Sequence, residues 1–227
     1  AVTGVQTCAL PICQGNLYVA NASNNTVTEV DSTGKVHVLA TGLSTPEQVA
    51  IDGAGDVFVT DSGSGAISKI SGGSTTTFAT GLNQPWGIAL DSSNNVYVAE
   101  AGGGRISEIP AAGGAAQAFA PSLLRTPQPI ALAADGSLIV GNNGSISRIP
   151  LGGGGQVLVT LSGQPMGMSF DASGTLYYTL STSLNKIVNG ASVLVATIPA
   201  TTAPAVFDSQ GNYYVADANN KRIDKVS

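Results

Sequence analysis

The sequence predicts an all-β fold built from repeated four-stranded units, and three observations predict it. Strand-like segments recur near every forty residues, and glycine-centred turns recur every eight to ten. The composition disfavours helix: 29 of 227 residues are glycine, and Val, Thr and Ser crowd out Leu, Glu, Lys and Arg. At 43% hydrophobic residues there is still enough apolar material for a core.

The period is set by "GNLYVAN", "GDVFVTD", "NNVYVAE", "GSLIVGN", "GTLYYTL" and "GNYYVAD". These begin at Gly15, Gly55, Asn94, Gly136, Gly174 and Gly211, at spacings of 40, 39, 42, 38 and 37. Pro46, Pro85, Pro127 and Pro165 each precede the matching Gly or Asn by nine residues. In the last unit Thr202 holds that slot, and Pro204 follows two residues later.

The second unit shows the element order. "EQVAID" (Glu47 to Asp52) is a strand, and the turn "DGAG" leads to "DVFVTD" (Asp56 to Asp61). The loop "SGSG" follows, then "AISKI" (Ala66 to Ile70), a Gly-Gly turn and "TTTFAT" (Thr75 to Thr80). Alternating apolar residues between such turns are hairpin chemistry. Asp52, Asp91, Asp171 and Asp208 each lie three before Gly55, Asn94, Gly174 and Gly211. An Asp there accepts from the backbone two residues on, while the final position must take positive φ. These aspartates therefore read as turn residues rather than as a carboxylate array.

A unit of this size cannot cover both of its faces alone. Radial stacking round an axis lets neighbours cover them and leaves only short edges. The expected fold is a six-bladed β-propeller of four-stranded antiparallel blades, with the first and last blades incomplete. The first unit enters at its second strand, and the last stops after its third. The pairs Val49/Ile51, Ile88/Leu90, Ile130/Leu132 and Met168/Phe170 are expected on the innermost strands, with Val57/Val59, Val96/Val98 and Leu138/Val140 in the next layer.

"PWGIALDSSNNVYVAEAGGGRISEI" (Pro85 to Ile109) and "DANNKRIDKV" (Asp217 to Val226) resemble the NHL repeat. The resemblance runs from Gly15 to the C-terminus and implies a bacterial six-bladed propeller. It leaves function open, because NHL propellers range from binding platforms to enzymes. Gluconolactonase-like propellers, similar in architecture, use a metal, and virginiamycin B lyase-like propellers depend on histidines. The fifth unit departs from the pattern with Leu180 where an acidic residue is expected, and the fourth shortens its second loop to "NNGS".

The opening "VTGVQTCALPIC" matches nothing later in the chain. Val2 to Ile12 resemble, in register, the translation of a sequencing-adapter oligonucleotide. Residues 1–13 are thus expected to be non-native, with Cys13 a junction and the propeller spanning 14–227. The opening lacks the basic start and longer apolar run of a signal peptide. Cys8 and Cys13 lack partner ligands for a metal, since His37 is the single histidine.

Net charge is −5, and the nine Lys and Arg are scattered singly. That excludes a nucleic-acid partner, which needs clustered cations. No apolar run approaches the roughly 18 residues of a membrane-spanning helix. The acidic, charge-poor, Ser/Thr/Gly/Ala-rich composition resembles extracytoplasmic bacterial NHL proteins, and a monomeric domain within a larger chain is expected.

In a propeller the loops leading into strand one and those joining strands two and three open on one face, at the mouth of the central channel. The strand-two ends carry Asn21, Asp61, Glu100, Asn142 and Asp217, and the lead-in loops carry Glu47, Gln48, Trp86, Gln128 and Met166. The expected ligand- or partner-facing set is Asn21, Gln48, Asp61, Trp86, Glu100, Gln128, Asn142 and Asp217, with Trp86 as an exposed aromatic anchor. The same Asp and Asn side chains are also placed to cap their own loops. No cofactor is expected. Calcium is the one metal that such oxygen donors suit, though no D-x-D-x-D cluster occurs. No catalytic residue stands out. His37 falls in an outermost strand, and "LGGGGQ" (Leu151 to Gln156) joins two strands instead of opening a helix. Charges of alternating sign along the third strands, at Glu29, Lys69, Glu108 and Arg148, read as a solvated rim, with pairing between neighbouring units as the alternative. The sequence thus points to a non-catalytic module that binds a protein or small molecule. The alternative is a gluconolactonase-like hydrolase or lyase with an oxygen-ligated divalent metal at the channel.

Overall fold

Antiparallel hairpins follow one another through the computed structural model, which describes residues 12–13, 15–120, 124–198, 205–207, 212–217 and 222–226. The first sheet holds β1 (Ile12–Cys13), β2 (Asn16–Asn21), β3 (Thr26–Val30) and β4 (Val36–Ala40). The second holds β5 (Pro46–Ile51), β6 (Val57–Asp61), β7 (Ala66–Ser71) and β8 (Ser74–Ala79). The third holds β9 (Pro85–Leu90), β10 (Val96–Glu100), β11 (Arg105–Ile109) and β12 (Gln117–Ala120). The fourth holds β13 (Ile130–Leu132), β14 (Leu138–Asn142), β15 (Ser145–Ile149) and β16 (Gln156–Thr160). The fifth holds β17 (Gly167–Phe170), β18 (Leu176–Leu180), β19 (Ser183–Val188) and β20 (Ala191–Thr197). The sixth has three strands, β21 (Ala205–Phe207), β22 (Tyr213–Asp217) and β23 (Arg222–Val226). Every element among the described residues is a strand, so no helix there is long and apolar enough to cross a membrane.

Each apolar cluster lies between sheets, not within one. Val57 and Val59 of the second sheet join Ala20 and Val27 of the first. From the other face, Phe58 and Ile67 join Ile88, Val96 and Val98 of the third. Alternation along β6 therefore sends apolar side chains to both neighbours, which is why all five of its residues are buried. Ile130, Leu138 and Val140 pack on the third sheet, and Ile139 and Ile146 pack on Met168, Leu176 and Tyr178 of the fifth. Leu17, Val19 and Val30 share a cluster with Leu184 and Ile198 of the fifth sheet and Val215 of the sixth, so the apolar packing runs round a ring. The molecule is a β-propeller.

The turns behave as their residues predict. Asp52 Oδ1 accepts from Ala54 N and Asp56 N, and Asp91 Oδ1 accepts from Ser93 N and Asn95 N, each at 2.8–2.9 Å. Asp171 Oδ1 does the same for Ser173 and Thr175. Asn94 sits at φ +62°, the position its sequence slot demands. Asp208 and Gly211 lie outside the described residues.

Two findings differ from expectation. The first sheet has an inner strand after all, because Ile12 and Cys13 pair with Leu17 and Asn16. Backbone hydrogen bonding makes no demand on side-chain identity, so a two-residue strand leaves no trace in sequence. Residues 1–11, with Cys8, lie outside the described residues. The third-strand charges pair within their own sheets rather than between neighbours. Lys69 Nζ meets Asp56 at 2.7 Å and lies 5.0 Å from the centre of the Phe58 ring, and Arg148 pairs with Asp135. Glu29 accepts from Asn16 and Tyr18, and Glu108 from Tyr97. Each of the four stands opposite a residue of its own second strand.

Candidate functional site

At one end of the ring the second strands finish in Asn21, Asp61, Glu100 and Asn142, whose exposures are only 4, 3, 0 and 2%. Their side chains turn inward and tie loops together. Glu100 collects four donors: Arg105 Nε at 2.7 Å, Arg105 Nη2 at 3.1 Å, the Asn83 backbone N–H at 2.7 Å and the Ser107 hydroxyl. Asn83 lies in the loop leading into β9, so Glu100 fastens that loop to the third strand. Asn142 takes the Arg125 N–H, from the corresponding loop of the fourth sheet, at 3.4 Å. Asn21 accepts from Ser23. Asp217 ends β22 as predicted, and its side chain lies outside the described residues.

Asp61 fills the same slot with a different balance. Ser68 Oγ donates to its Oδ2 at 2.6 Å, while the buried Oδ1 has no hydrogen-bond partner. The Ser44 N–H faces the carboxylate without completing a bond to that oxygen. Burial therefore pushes the Asp61 carboxyl up from its ordinary value. Burial acts on Glu100 in the same direction, but Arg105, Ser107 and the Asn83 N–H outweigh it and hold that carboxyl below its ordinary value. The cross-strand neighbour decides the difference, since Arg105 stands opposite Glu100 and Ala66 opposite Asp61.

The lead-in loops are also laced to the turns beside them. Ser62 N and Gly63 N donate to Thr45 O and Ser44 O, and Ala101 N donates to Gln84 O. Thr45 and Gln84, each just before a proline, hold φ of +54° and +50°. Side chains there cost about 1–2 kcal/mol over the right-handed alternative. Loops tied at several points can hold that conformation. In the fifth sheet Leu180 replaces the polar strand-end residue, and a gap of about 500 Å³ opens among Ser162, Gln164, Met166, Leu180, Ser181 and Ser183.

Above the buried ties lie Glu47, Gln48, Trp86, Gln128 and Met166, all half-buried. Trp86 lies in β9 rather than in the lead-in loop and is half-buried, not exposed as expected. Its carbonyl accepts from Thr60 Oγ1 at 2.7 Å. Gln48 Oε1 accepts from Ile88 N of the next sheet, and Ser62 donates to Glu47, whose carboxyl burial pushes upward. Gly87 brings the third and fourth inner strands together: a Cβ there would sit 2.0 Å from Gln128 O. The buried Gln128 Oε1 has no hydrogen-bond partner. His37 lies on β4, its Nε2 3.1 Å from Asp31 Oδ2.

The described strand-end carboxylates and amides stand on different sheets, and all but Asp61 Oδ1 among the acceptors named above take a protein donor. Among the described residues, no three His, Cys, Asp or Glu side chains stand together. What the arrangement does offer is a set of half-buried residues, Glu47, Gln48, Trp86, Gln128 and Met166, beside loops that hydrogen bonds fasten to neighbouring turns.

Comparison with known proteins agrees with this architecture. The sequence pattern of the NHL repeat matches residues 82–108. No curated protein sequence matches the chain. Among solved structures it resembles virginiamycin B lyase from Staphylococcus aureus at 18% identity, covering 98% of this chain and 84% of that one with a TM-score of 0.75. It also resembles a gluconolactonase from Xanthomonas campestris at 17% identity, covering 94% and 84% with a TM-score of 0.83. A structure of a nidogen/laminin complex matches at 19% identity, covering 93% and 88% with a TM-score of 0.80. These likenesses define a β-propeller. The chain is a β-propeller in which residues 82–108 match the NHL repeat.

Proposed function

We propose that the chain is a non-catalytic binding module that takes a protein or small-molecule ligand at the channel mouth. The observation that carries this reading is the use made of the strand-end carboxylates and amides. Glu100 and Asn142 fasten lead-in loops through the Asn83 and Arg125 N–H groups, and Asn21 accepts from Ser23 in its own turn, so these side chains serve the loops rather than a reacting centre. Fastened loops present Trp86, Gln48, Glu47 and Gln128 in one fixed arrangement, and a preorganised surface loses little entropy on binding. An extracytoplasmic setting, as part of a larger bacterial protein, goes with the charge-poor composition.

A displayed random-peptide library selected on the immobilised protein tests this. Selected peptides should compete with one another and shift the emission of Trp86, the single tryptophan. Trp86→Ala should weaken them at least about tenfold, as a central aromatic contact does. Peptides that ignore Trp86→Ala would move the site elsewhere. Calcium-dependent turnover of gluconolactone would overturn the non-catalytic reading.

A further inference from the structure

A cleft of about 960 Å³ lies between the fourth and fifth sheets, at the opposite end from the channel mouth. Ile139 and Leu158 of the fourth sheet form one wall, and Phe170, Leu176 and Ile187 of the fifth form the other. That volume is within the roughly 300–1,000 Å³ of small-molecule sites.

The equivalent positions elsewhere show why it opens. Three residues before the strand end, the second strands carry Tyr18, Phe58, Tyr97, Ile139, Tyr177 and Tyr214, so the fourth unit alone lacks a ring there. In the second sheet Phe58 meets Phe78 of β8 edge to face at 5.0 Å, on the side toward the third sheet. In the third, Tyr97 meets Phe119 of β12 in the same way at 5.2 Å, toward the fourth. Strand register puts Ile139 and Leu158 in those two slots, so two aliphatic side chains stand where two rings stood. The cover differs as well. Residues 110–116, between β11 and β12, fold back over Phe78: Gly114 N donates to Phe78 O at 3.2 Å, and a Cβ on Gly113 would sit 3.3 Å from the ring. The matching turn between β19 and β20 is Asn189–Gly190 alone, both at positive φ, with no residues to spare for such a cover.

The walls narrow the chemistry of an occupant. Asp135 pairs with Arg148, and Asp171 Oδ1 accepts from the Ser173 and Thr175 N–H groups, so both carboxylates at the cleft are engaged. The Lys186 side chain lies on the other face of its sheet, opposite Tyr177. A neutral occupant suits such walls, and two groups favour an aromatic one. Phe170 takes the place of Leu90 and Leu132 on the preceding sheets and turns a half-buried ring toward the cleft. Arg148 stands opposite Ile139 as Lys69 stands opposite Phe58, where the ammonium lies 5.0 Å from the ring centre. In the fourth sheet the cation is kept and the ring beneath it is missing.

We infer that the cleft between the fourth and fifth sheets binds a neutral two-ring aromatic compound, one ring over Ile139 beneath the Arg148 guanidinium and the other against Leu158 and Phe170. The site is independent of the channel mouth.

Naphthol, uncharged at neutral pH, and decahydronaphthol, the same frame without aromatic electrons, are the probes, titrated calorimetrically into the whole chain. Naphthol should bind saturably at one site. Arg148→Gln should weaken it about fivefold, the scale of a cation–π contact, while leaving decahydronaphthol unchanged. Ile139→Phe with Leu158→Phe, which restores the ring pair of the second sheet, should abolish binding of both probes. No saturable naphthol binding below roughly 1 mM would overturn the inference. So would Arg148→Gln treating the two probes alike, or naphthol binding that survives the double substitution. Should the double variant not fold, nuclear Overhauser contacts from bound naphthol to the Ile139 and Leu158 methyl groups of the wild type decide in its place, and their absence rejects the site.

Discussion

The second and third sheets place a carboxylate in the same slot, yet the two carboxylates behave oppositely. Glu100 has four donors and is held ionised, whereas Asp61 has one hydroxyl on Oδ2, a bare Oδ1 and a carboxyl pushed up by burial. The slot is shared, so the contrast arises from its occupants: Arg105 stands opposite Glu100 where Ala66 stands opposite Asp61, and the Asn83 N–H completes a bond to the longer Glu100 side chain. A repeat fixes where a side chain sits, and its neighbour fixes what chemistry it has.

The largest expected effect comes from breaking the better-satisfied site. Glu100→Leu, which copies Leu180 of the fifth sheet, should remove about 2–4 kcal/mol at neutral pH by stranding the Asn83 N–H and the Ser107 hydroxyl. Urea denaturation measures it, and a loss under about 1 kcal/mol would show the tie to be incidental. Asp61→Asn should change stability by no more than about 1 kcal/mol at neutral pH, since little is lost with an ill-satisfied charge.

Their pH dependences should run in opposite directions. Glu100, with its pKa lowered in the fold, stabilises above the ordinary glutamate range, and that contribution fades as pH falls through its folded value. Asp61, raised above its ordinary value of 3.8, favours the fold while protonated, and wild type should lose ground to Asp61→Asn as pH rises through the folded value. Stability curves of the two variants with the same slope would contradict the assignment. The smallest effect belongs to the graft Ala66→Arg. It should stabilise by up to about 1 kcal/mol at neutral pH and flatten the Asp61 titration seen by NMR.

Much of the fold is legible in the chain because propeller units repeat both their turn chemistry and their alternation. Asp52, Asp91 and Asp171 announce their turns, and Val57 and Val59 announce a strand buried on both faces. The candidate site was only half legible. Sequence places Asp61, Glu100 and Asn142 at strand ends. Their partners in the lead-in loops, though, are backbone N–H groups of Asn83 and Arg125, which any residue supplies. Trp86 reads as exposed because the sequence alone does not show that β9 begins at Pro85 and takes Trp86 into the sheet. The cleft between the fourth and fifth sheets did leave a signal, the paired loss of rings at Ile139 and Leu158, but only the strand register shows that those residues meet.

Hydrogen exchange at one amide tests most directly the claim that strand-end side chains are loop ties. The Asn83 N–H should exchange slowly in the wild type. In Glu100→Leu it should speed up at least about tenfold more than a core amide such as Val98, marking local release rather than global unfolding. Asn83 and Val98 accelerating by the same factor, or Asn83 not at all, would contradict it.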